Sequence, residues 1–232
     1  DVLNEVGEVV GSKEVDDVNR GWFVGKDISA IWDHEFIGIW QEDEAEEAAK
    51  YGQQPGDAKV RDVNGDYKIT QEDKVFLGQE TPKFRWSFRN EFTLFRNWDI
   101  SLNLYSQMGH KQSTTEYLNF FDNLGDYSNT YKREYWTPEN KSNSYARLKS
   151  TRPSNINPKK VINKGFIRLE NISVSYRVPQ QFARKLMAKE ISIYGTVRNV
   201  AVWAFDKEWD YWDPETKGLL PRTFTFGASI TF

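Results

Sequence analysis

Six oxygen-bearing residues recur at regular intervals in one short segment, and their types suit a divalent cation. They occupy positions 1, 3, 5, 7, 9 and 12 of a loop and are Asp62, Asn64, Asp66, Lys68, Thr70 and Asp73. A calcium loop takes side-chain oxygens from positions 1, 3 and 5, a backbone carbonyl from position 7 and an acid from position 12. The spacing therefore predicts a structural calcium site, in which Lys68 contributes only its carbonyl and Thr70 acts through water.

Two departures from the usual calcium loop predict weak affinity. The sixth position normally needs glycine for a sharp turn, but here it is Tyr67. The twelfth is Asp73, one methylene shorter than the usual bidentate glutamate, with Glu72 beside it as an alternative ligand. The competing interpretation is a turn in which Asx side chains bind their own backbone and hold no ion. Both interpretations stay open from the sequence.

The rest of the chain offers little for catalysis. There is no Cys, and the two His, His34 and His110, are far apart and lack an obvious nucleophile partner. There is no G-x-S-x-G motif and no phosphate-binding glycine loop. The net charge of -3 gives no basic field for nucleic acid. We therefore expect no enzymatic activity, no zinc site and no nucleic-acid partner.

Aromatic residues make up 15% of the chain and concentrate in two segments. The first set is Trp203, Phe205, Trp209, Tyr211 and Trp212. The second set is Tyr117, Phe120, Phe121, Tyr127, Tyr131, Tyr135 and Trp136. Stacking on sugar rings or contact with a partner protein is one interpretation of both sets. We favour packing of loops onto their neighbours or an aromatic belt at a membrane edge.

The elements that must position these groups are strands with two different faces, and the last one is the clearest. One face carries Phe224, Phe226, Ala228, Ile230 and Phe232, and the other carries Thr223, Thr225, Gly227, Ser229 and Thr231. Side chains alternate across a strand, so one face is wholly apolar and the other small and polar. This pattern favours the closing strand of a transmembrane β-barrel over a strand that covers a soluble core.

Four earlier segments repeat this alternation. They are two strands of a hairpin that begins at Phe84 and turns at Phe95-Arg96-Asn97, a strand in 165–178 and a strand in 190–203. The polar faces also carry charges, which we expect to line a water-filled lumen and to brace its wall. These charged residues are Arg89, Glu91, Asp99 and Arg198.

The connections between these strands alternate in length. Short connections follow Phe95 and Val178. Long connections follow Gly109 and Trp203. Outer-membrane barrels have short periplasmic turns and long extracellular loops, so this alternation predicts that the long connections are extracellular.

The sequence thus predicts an all-β fold that supplies the C-terminal strands of a large transmembrane antiparallel β-barrel with long extracellular loops. Residues 1–83 form an extracellular loop region with the calcium-like motif and one short helix in 42–50, and residues 84–232 form the strands. Five strands cannot close, since the smallest closed barrels have about eight strands and an open edge in lipid leaves costly unpaired backbone groups. We therefore expect the chain to be the C-terminal portion of a longer polypeptide.

A soluble or surface-exposed β-rich protein that binds glycans is the competing prediction. Its aromatic residues would then form a sugar-binding surface, and its strands would cover a core. The two predictions differ in where the protein partitions. A barrel segment requires detergent and resists heating in it, whereas a soluble lectin or hydrolase does neither.

Several short blocks of the sequence occur in a fixed order: Pro55-Gly56-Asp57 with Asp62-Val63-Asn64-Gly65-Asp66, then Gly78 and Pro82-Lys83-Phe84, then Tyr135-Trp136-Thr137-Pro138-Glu139-Asn140, then Trp212-Asp213-Pro214-Glu215, and the ending from Pro221 to Phe232. In this order they resemble blocks of the SusC/RagA-type transporters, the TonB-dependent outer-membrane proteins of Bacteroidetes. The matches extend from about Asp27 to Phe232. Each block alone is weak, but together and in this order they are specific.

The resemblance implies a barrel of about twenty-two strands whose lumen holds an N-terminal plug. It also implies import of oligosaccharides or peptides, powered through TonB, with a SusD-like surface lipoprotein over the extracellular face. The implied location is the bacterial outer membrane, where lipid surrounds the barrel. Contact with TonB would be made through the missing N-terminal part, so import by this chain alone is not expected.

Overall fold

The computed structural model describes residues 2–3, 6–11, 14–114, 134–209 and 212–232, and most regular structure in them is extended. The strands are β1 (Val2–Leu3), β2 (Val9–Gly11), β3 (Ala30–His34), β4 (Phe36–Ile39), β5 (Ala58–Val60), β6 (Lys74–Gln79), β7 (Phe84–Leu94), β8 (Trp98–Met108), β9 (Lys111–Thr114), β10 (Lys160–Asn163), β11 (Phe166–Arg177), β12 (Glu190–Ala204) and β13 (Thr223–Thr231). The helices are α1 (Ala45–Lys50), α2 (Gln180–Ala183) and single 3-10 turns at Glu42–Glu44, Gln71–Asp73, Pro153–Asn155, Arg184–Leu186 and Lys207–Trp209. No described helix combines the length and apolarity needed to cross a lipid bilayer.

The chain divides into two compact units. The first unit combines Asp1–Thr81 with Lys111–Ile162, and the second combines Pro82–His110 with Asn163–Phe232. The strands expected within residues 84–232 all lie in the second unit. The long polar segment 111–162, which the sequence assigned to the same region as those strands, groups instead with the residues before Pro82.

The second unit is built on a five-stranded sheet in the order β13-β12-β11-β8-β7. Every neighbouring pair in it is antiparallel. The hairpin between β7 and β8 turns at Phe95 and Arg96, whose φ angles of 50° and 66° are left-handed. The predicted hairpin and the three later strands are therefore confirmed. The sheet does not close on itself, since β7 and β13 each pair on one side only within the described part of the chain.

The register of the sheet keeps its two faces distinct from strand to strand. One continuous row across the sheet contains Phe92, Ile100, Val174, Gly195 and Phe226. The adjacent row contains Thr93, Asp99, Ser175, Tyr194 and Gly227. Because neighbouring rows lie on opposite faces, the sheet has one mainly apolar face and one mainly polar face.

A β-bulge keeps β11 in phase with its neighbours. Leu169 and Ile172 are three residues apart, an odd separation that would place them on opposite faces of a regular strand. The register shifts between Leu169 and Asn171, so that Leu169 lies opposite Leu104 and Ile172 opposite Leu102. The extra residue in the bulge therefore preserves the apolar face along the whole strand.

The first unit contains short paired strands around a small core. β3 pairs with β6, and β4 pairs with β5, both antiparallel. β1 pairs with β2, and β9 with β10. The core contains Ile39, Ala58, Trp136 and Ala146. The helix expected in 42–50 is confirmed as a 3-10 turn that continues into α1, and the long connection after Gly109 contains β9 and β10.

Candidate functional site

The second unit contains a buried polar cluster that ties a loop to the sheet. Arg168 of β11 forms an ion pair with Asp213, at 2.5 Å, and lies 3.4 Å from the carboxylate of Glu215. Tyr105 and Gln107 of β8 donate hydrogen bonds to Glu215 at 2.5 and 3.0 Å. Arg168 is 2% exposed and Asp213 is 7% exposed. The connection between β12 and β13 is thus fastened to two strands of the sheet.

Asp213 also organises its own turn. Its Oδ1 accepts the backbone N–H groups of Glu215 and Thr216, both at 3.0 Å. Burial alone would raise the pKa of Asp213, but the N–H of Thr216 and the guanidinium of Arg168 outweigh burial and hold that pKa below its usual value. The carboxylate is therefore charged at neutral pH and serves as the anchor of the loop.

Three of the four charges predicted to line the polar face form ion pairs. Arg89 and Glu91 form an ion pair at 2.5 Å. Asp99 pairs with Arg177 at 3.0 Å. Arg198 has no ion-pair partner in the part of the chain that the structure describes. The pairs support the interpretation of a charge ladder along the polar face.

In the first unit, the predicted calcium loop closes on its own backbone. Asp62 accepts the N–H of Gly65 at 2.7 Å and the N–H of Tyr67 at 2.9 Å. Asn64 accepts the N–H of Asp66 at 3.1 Å. Burial alone would raise the pKa of Asp62, and the N–H donors of Gly65 and Tyr67 more than offset it, so that pKa is lowered.

The remaining positions of the loop decide how well it suits an ion. Tyr67 has a φ of 62°, so the sixth position keeps the left-handed turn that glycine usually provides. Asp73 is 0% exposed, and its two oxygens accept the N–H groups of Val63 and Thr70 at 2.9 and 2.7 Å. Among the described residues, no three His, Cys, Asp or Glu side chains gather where they could hold a metal. The backbone at Tyr67 has the turn that a calcium loop needs, but the side-chain oxygens of the loop already accept hydrogen bonds from backbone N–H groups. Calcium binding therefore stays a prediction.

Calorimetry on the intact protein tests the calcium prediction. We expect binding with a dissociation constant of about 1 mM, because the shortened acid at the twelfth position weakens the site. Asp66→Ala removes a predicted ligand and should abolish the heat. Lys68→Ala removes a side chain that is not a ligand and should leave it unchanged. No heat from the unmodified protein at millimolar calcium would favour the ion-free turn.

Blocks far apart in the sequence meet in the first unit at Gly56 and Asp57. Asp57 is 0% exposed and accepts hydrogen bonds from Arg147 Nε at 2.9 Å and from the Thr151 N–H at 2.8 Å. Gly56 has a φ of 89°, and a Cβ there would lie 2.5 Å from the Trp136 ring. Only glycine fits this close approach, so the turn is a packing junction for the unit.

Asp57→Asn should loosen the first unit locally. The substitution removes the charge from a buried acceptor of three hydrogen bonds, and we expect a cost of about 1–3 kcal/mol. Hydrogen exchange of the Thr151 amide in the intact protein measures this loss as faster exchange. The control is Glu47→Gln, which breaks an exposed ion pair with Lys50 and should leave exchange unchanged. Equal exchange in both variants would contradict the role of Asp57.

His34, Trp136 and Trp209 have structural surroundings, whereas Trp203, Phe205 and Trp212 of the first aromatic set are exposed. His34 is buried, its Nε2 lies 2.6 Å from the Thr70 carbonyl oxygen, and it belongs to a different unit from His110. Trp136 is 7% exposed and donates through Nε1 to Gln41. Trp209 donates through Nε1 to the Asn163 carbonyl at 2.8 Å. The predicted aromatic residues that lie outside the described residues are Tyr117, Phe120, Phe121, Tyr127, Tyr131 and Tyr211.

Comparison with known proteins identifies relatives of one kind. No family model matches the chain. TonB-dependent receptor P26 of Formosa agariphila is 26% identical over 247 aligned positions, which cover 98% of this chain and 24% of the relative. TonB-dependent receptor P3 of the same organism is 23% identical, with 90% of this chain and 22% of the relative covered. The chain spans about a quarter of the length of these relatives.

Solved structures agree with the sequence relatives on the fold. The RagAB peptide importer in its open-open state matches with a TM-score of 0.60 and 16% identity, covering 91% of this chain and 23% of the matched one. A second structure of the RagAB peptide transporter matches with a TM-score of 0.59 and 15% identity, covering 88% and 23%. The resemblance that the sequence blocks carried is thus confirmed: the chain is an outer-membrane protein that is similar in sequence to TonB-dependent receptors and in fold to the RagAB importer.

Proposed function

We propose that this chain supplies part of the barrel wall and extracellular loops of a TonB-dependent outer-membrane nutrient importer. The observation that carries the proposal is the sheet of the second unit, whose apolar face carries large exposed side chains on β7, β12 and β13. Phe88 is 55% exposed, Ile193 54% and Phe226 81%. Water-soluble proteins rarely expose apolar patches larger than a few hundred Å². Acyl chains are the surroundings that this face suits best.

The dimensions of the sheet support the same proposal. A transmembrane β-strand needs about 9–11 residues when tilted. β13 has 9 residues, β7 and β8 have 11 each, β11 has 12 and β12 has 15. The polar face carries the ion pairs of Arg89 with Glu91 and of Asp99 with Arg177, as expected for a water-filled lumen.

The resemblance to TonB-dependent transporters supports a proposal for the whole protein's partners and cargo. We propose that further strands complete the barrel and that contact with TonB lies in a part of the protein outside this chain. The first unit then lies on the extracellular side, where a SusD-like lipoprotein closes over it. The cargo is an oligosaccharide or a peptide, and the RagAB structures are described as those of a peptide importer. The role is transport, with no catalytic step.

Membrane fractionation of the intact protein tests the barrel. The protein should sediment with the outer membrane and require detergent for extraction. In mild sodium dodecyl sulfate it should migrate as a compact species that shifts only after boiling, because a closed barrel resists heat in detergent. A protein that stays in the soluble fraction without detergent would overturn the proposal and favour the alternative, a β-rich glycan-binding protein.

A further inference from the structure

The first unit contains a cleft of about 500 Å³ that no feature described above uses. Its walls come from β4, β6 and the residues around the start of β10. This volume lies within the range of small-molecule sites, which is about 300–1,000 Å³. The cleft is large enough for one or two sugar or amino-acid units.

The charges that line the cleft are strongly unbalanced. Four of the lining residues are basic, and Glu35 is the one acid among them. Glu35 is neutralised by Arg61, whose Nη1 lies 3.1 Å from its carboxylate. Lys111 and Lys159 have no carboxylate within ion-pair distance among the described residues, although Lys159 acts electrostatically on Asp33 from farther away. An excess of positive charge therefore remains in the cleft.

The fold positions the stem of Lys111 and the backbone of Lys159 in the cleft. Gly78 has a φ of 140°, and a Cβ there would lie 2.7 Å from Cδ of Lys111, so the missing side chain makes room for the lysine stem. The backbone of Lys159 is fixed between two neighbours, because its N–H donates to the His34 carbonyl at 2.8 Å and its carbonyl accepts the Phe36 N–H at 3.1 Å. Such preorganisation lowers the cost of binding a ligand.

The cleft also offers an amide donor and an apolar wall. Asn143 accepts the Ile39 N–H through Oδ1 at 2.8 Å, and its Nδ2 has no acceptor in the described part of the chain. Ile37 and Phe76 line the cleft and are 46% and 42% exposed. Unpaired lysine cations, one amide donor and an apolar surface together suit carboxylates carried on a ring or an aliphatic chain.

We infer that this cleft binds a carboxylate-bearing oligomer, with Lys111 and Lys159 as the main anion contacts and Asn143 as a hydrogen-bond donor. The carboxylates belong to acidic sugar units or to acidic amino-acid side chains, which present the same group to the lysines. Treating this ligand as cargo rests on the proposed function. The binding itself does not.

Calorimetry on the purified, intact protein tests the inference with three probes. Trigalacturonate and triglutamate carry the carboxylates on the two kinds of backbone, and maltotriose is the neutral comparison. We expect at least one acidic probe to bind, and to bind more weakly as salt is raised, because screening reduces exposed charge–charge attraction. Binding of only one acidic probe identifies the source of the carboxylate. Binding of neither, or equal binding of maltotriose, overturns the inference.

A pair of charge-matched variants locates the binding. Lys111→Gln with Lys159→Gln should weaken the acidic probe by about tenfold or more, since a charge-assisted hydrogen bond is worth about that factor. Lys50→Gln with Lys141→Gln removes the same charge from exposed ion pairs outside the cleft and should leave binding unchanged. Equal loss of affinity in both double variants would show that net charge alone explains the effect, and would overturn the inference.

The two proposals fail in different measurements. A protein that assembles in the outer membrane but binds no acidic probe refutes the cleft and leaves the barrel. A protein that stays soluble yet loses trigalacturonate or triglutamate binding in the Lys111 and Lys159 variant refutes the barrel and leaves the cleft.

Discussion

Replacing Arg168 by methionine should destabilise the intact protein by about 3–5 kcal/mol, because removal of one partner from a buried ion pair strands the other charge. Arg168 and Asp213 have 3% and 5% of their side-chain surface exposed. Methionine fills much of the same volume but cannot compensate the carboxylate of Asp213. The nearby acid Glu215 would then add repulsion in place of the attraction it has now. The measurement is the temperature at which the detergent-extracted protein loses its compact, heat-resistant form.

Arg177→Met is the matched control for this experiment. It removes the same kind of side chain from the same strand, but the pair of Arg177 with Asp99 is 44% and 41% exposed. An exposed pair contributes about 0–1 kcal/mol, so this variant should unfold close to the unmodified protein. A second variant, Arg168→Met with Asp213→Asn, removes both charges and should recover part of the loss. Equal destabilisation by both methionine variants would contradict the special role of burial at Arg168.

The strands of the second unit could be predicted from the sequence because their period is two and their faces differ. Apolar residues alternate with polar ones along these strands, as around Phe92 in β7 and Phe226 in β13. A shift of the pairing by one residue would therefore move every apolar side chain of the strand to the other face. Register across strands is therefore determined by the same pattern. The bulge in β11 was not predicted, since the odd spacing of Leu169 and Ile172 is only understood once their partners in β8 are known.

The anchors of both units could not be read from the sequence, because each joins residues far apart along the chain. Asp57 and Arg147 are separated by 90 residues, and Arg168 and Asp213 by 45. Both acids lie in blocks that carried the family resemblance, but no local pattern indicates which basic residue each one meets. The structure gives these two blocks a physical meaning: in each, the acid of a turn is buried against a distant arginine.

The first unit was harder to predict because its strands are short and its packing is irregular. β9 and β10 have four residues each, too few to establish a period. The predicted loop that begins at Asp62 forms a closed turn, and the tyrosine at its sixth position has the positive φ that is expected of glycine. The residue type at position 67 predicted a poorer turn than the structure shows, because it takes no account of the local hydrogen bonds that hold Tyr67 at positive φ.

Phe226→Arg should prevent most of the protein from assembling in the outer membrane. Phe226 lies at the middle of β13 and is 81% exposed on the apolar face. An arginine on the lipid face at the midplane of a bilayer costs about 2–4 kcal/mol, whereas the same change on a surface that faces water costs within about 0.5 kcal/mol. The measurement is the amount of heat-resistant protein recovered from the outer-membrane fraction.

Thr225→Arg is the matched control, because it places the same side chain one residue away on the opposite face. Thr225 lies opposite Thr196 on the polar face, where an arginine can extend into water. We therefore expect normal assembly of this variant, and a large difference between adjacent positions is the signature of a strand with lipid on one side. If Phe226→Arg assembles as well as Thr225→Arg, the apolar face meets water or protein, and the proposed barrel wall is wrong. A soluble β protein would tolerate the arginine at 226, since Phe226 is already exposed and the added charge would improve its hydration.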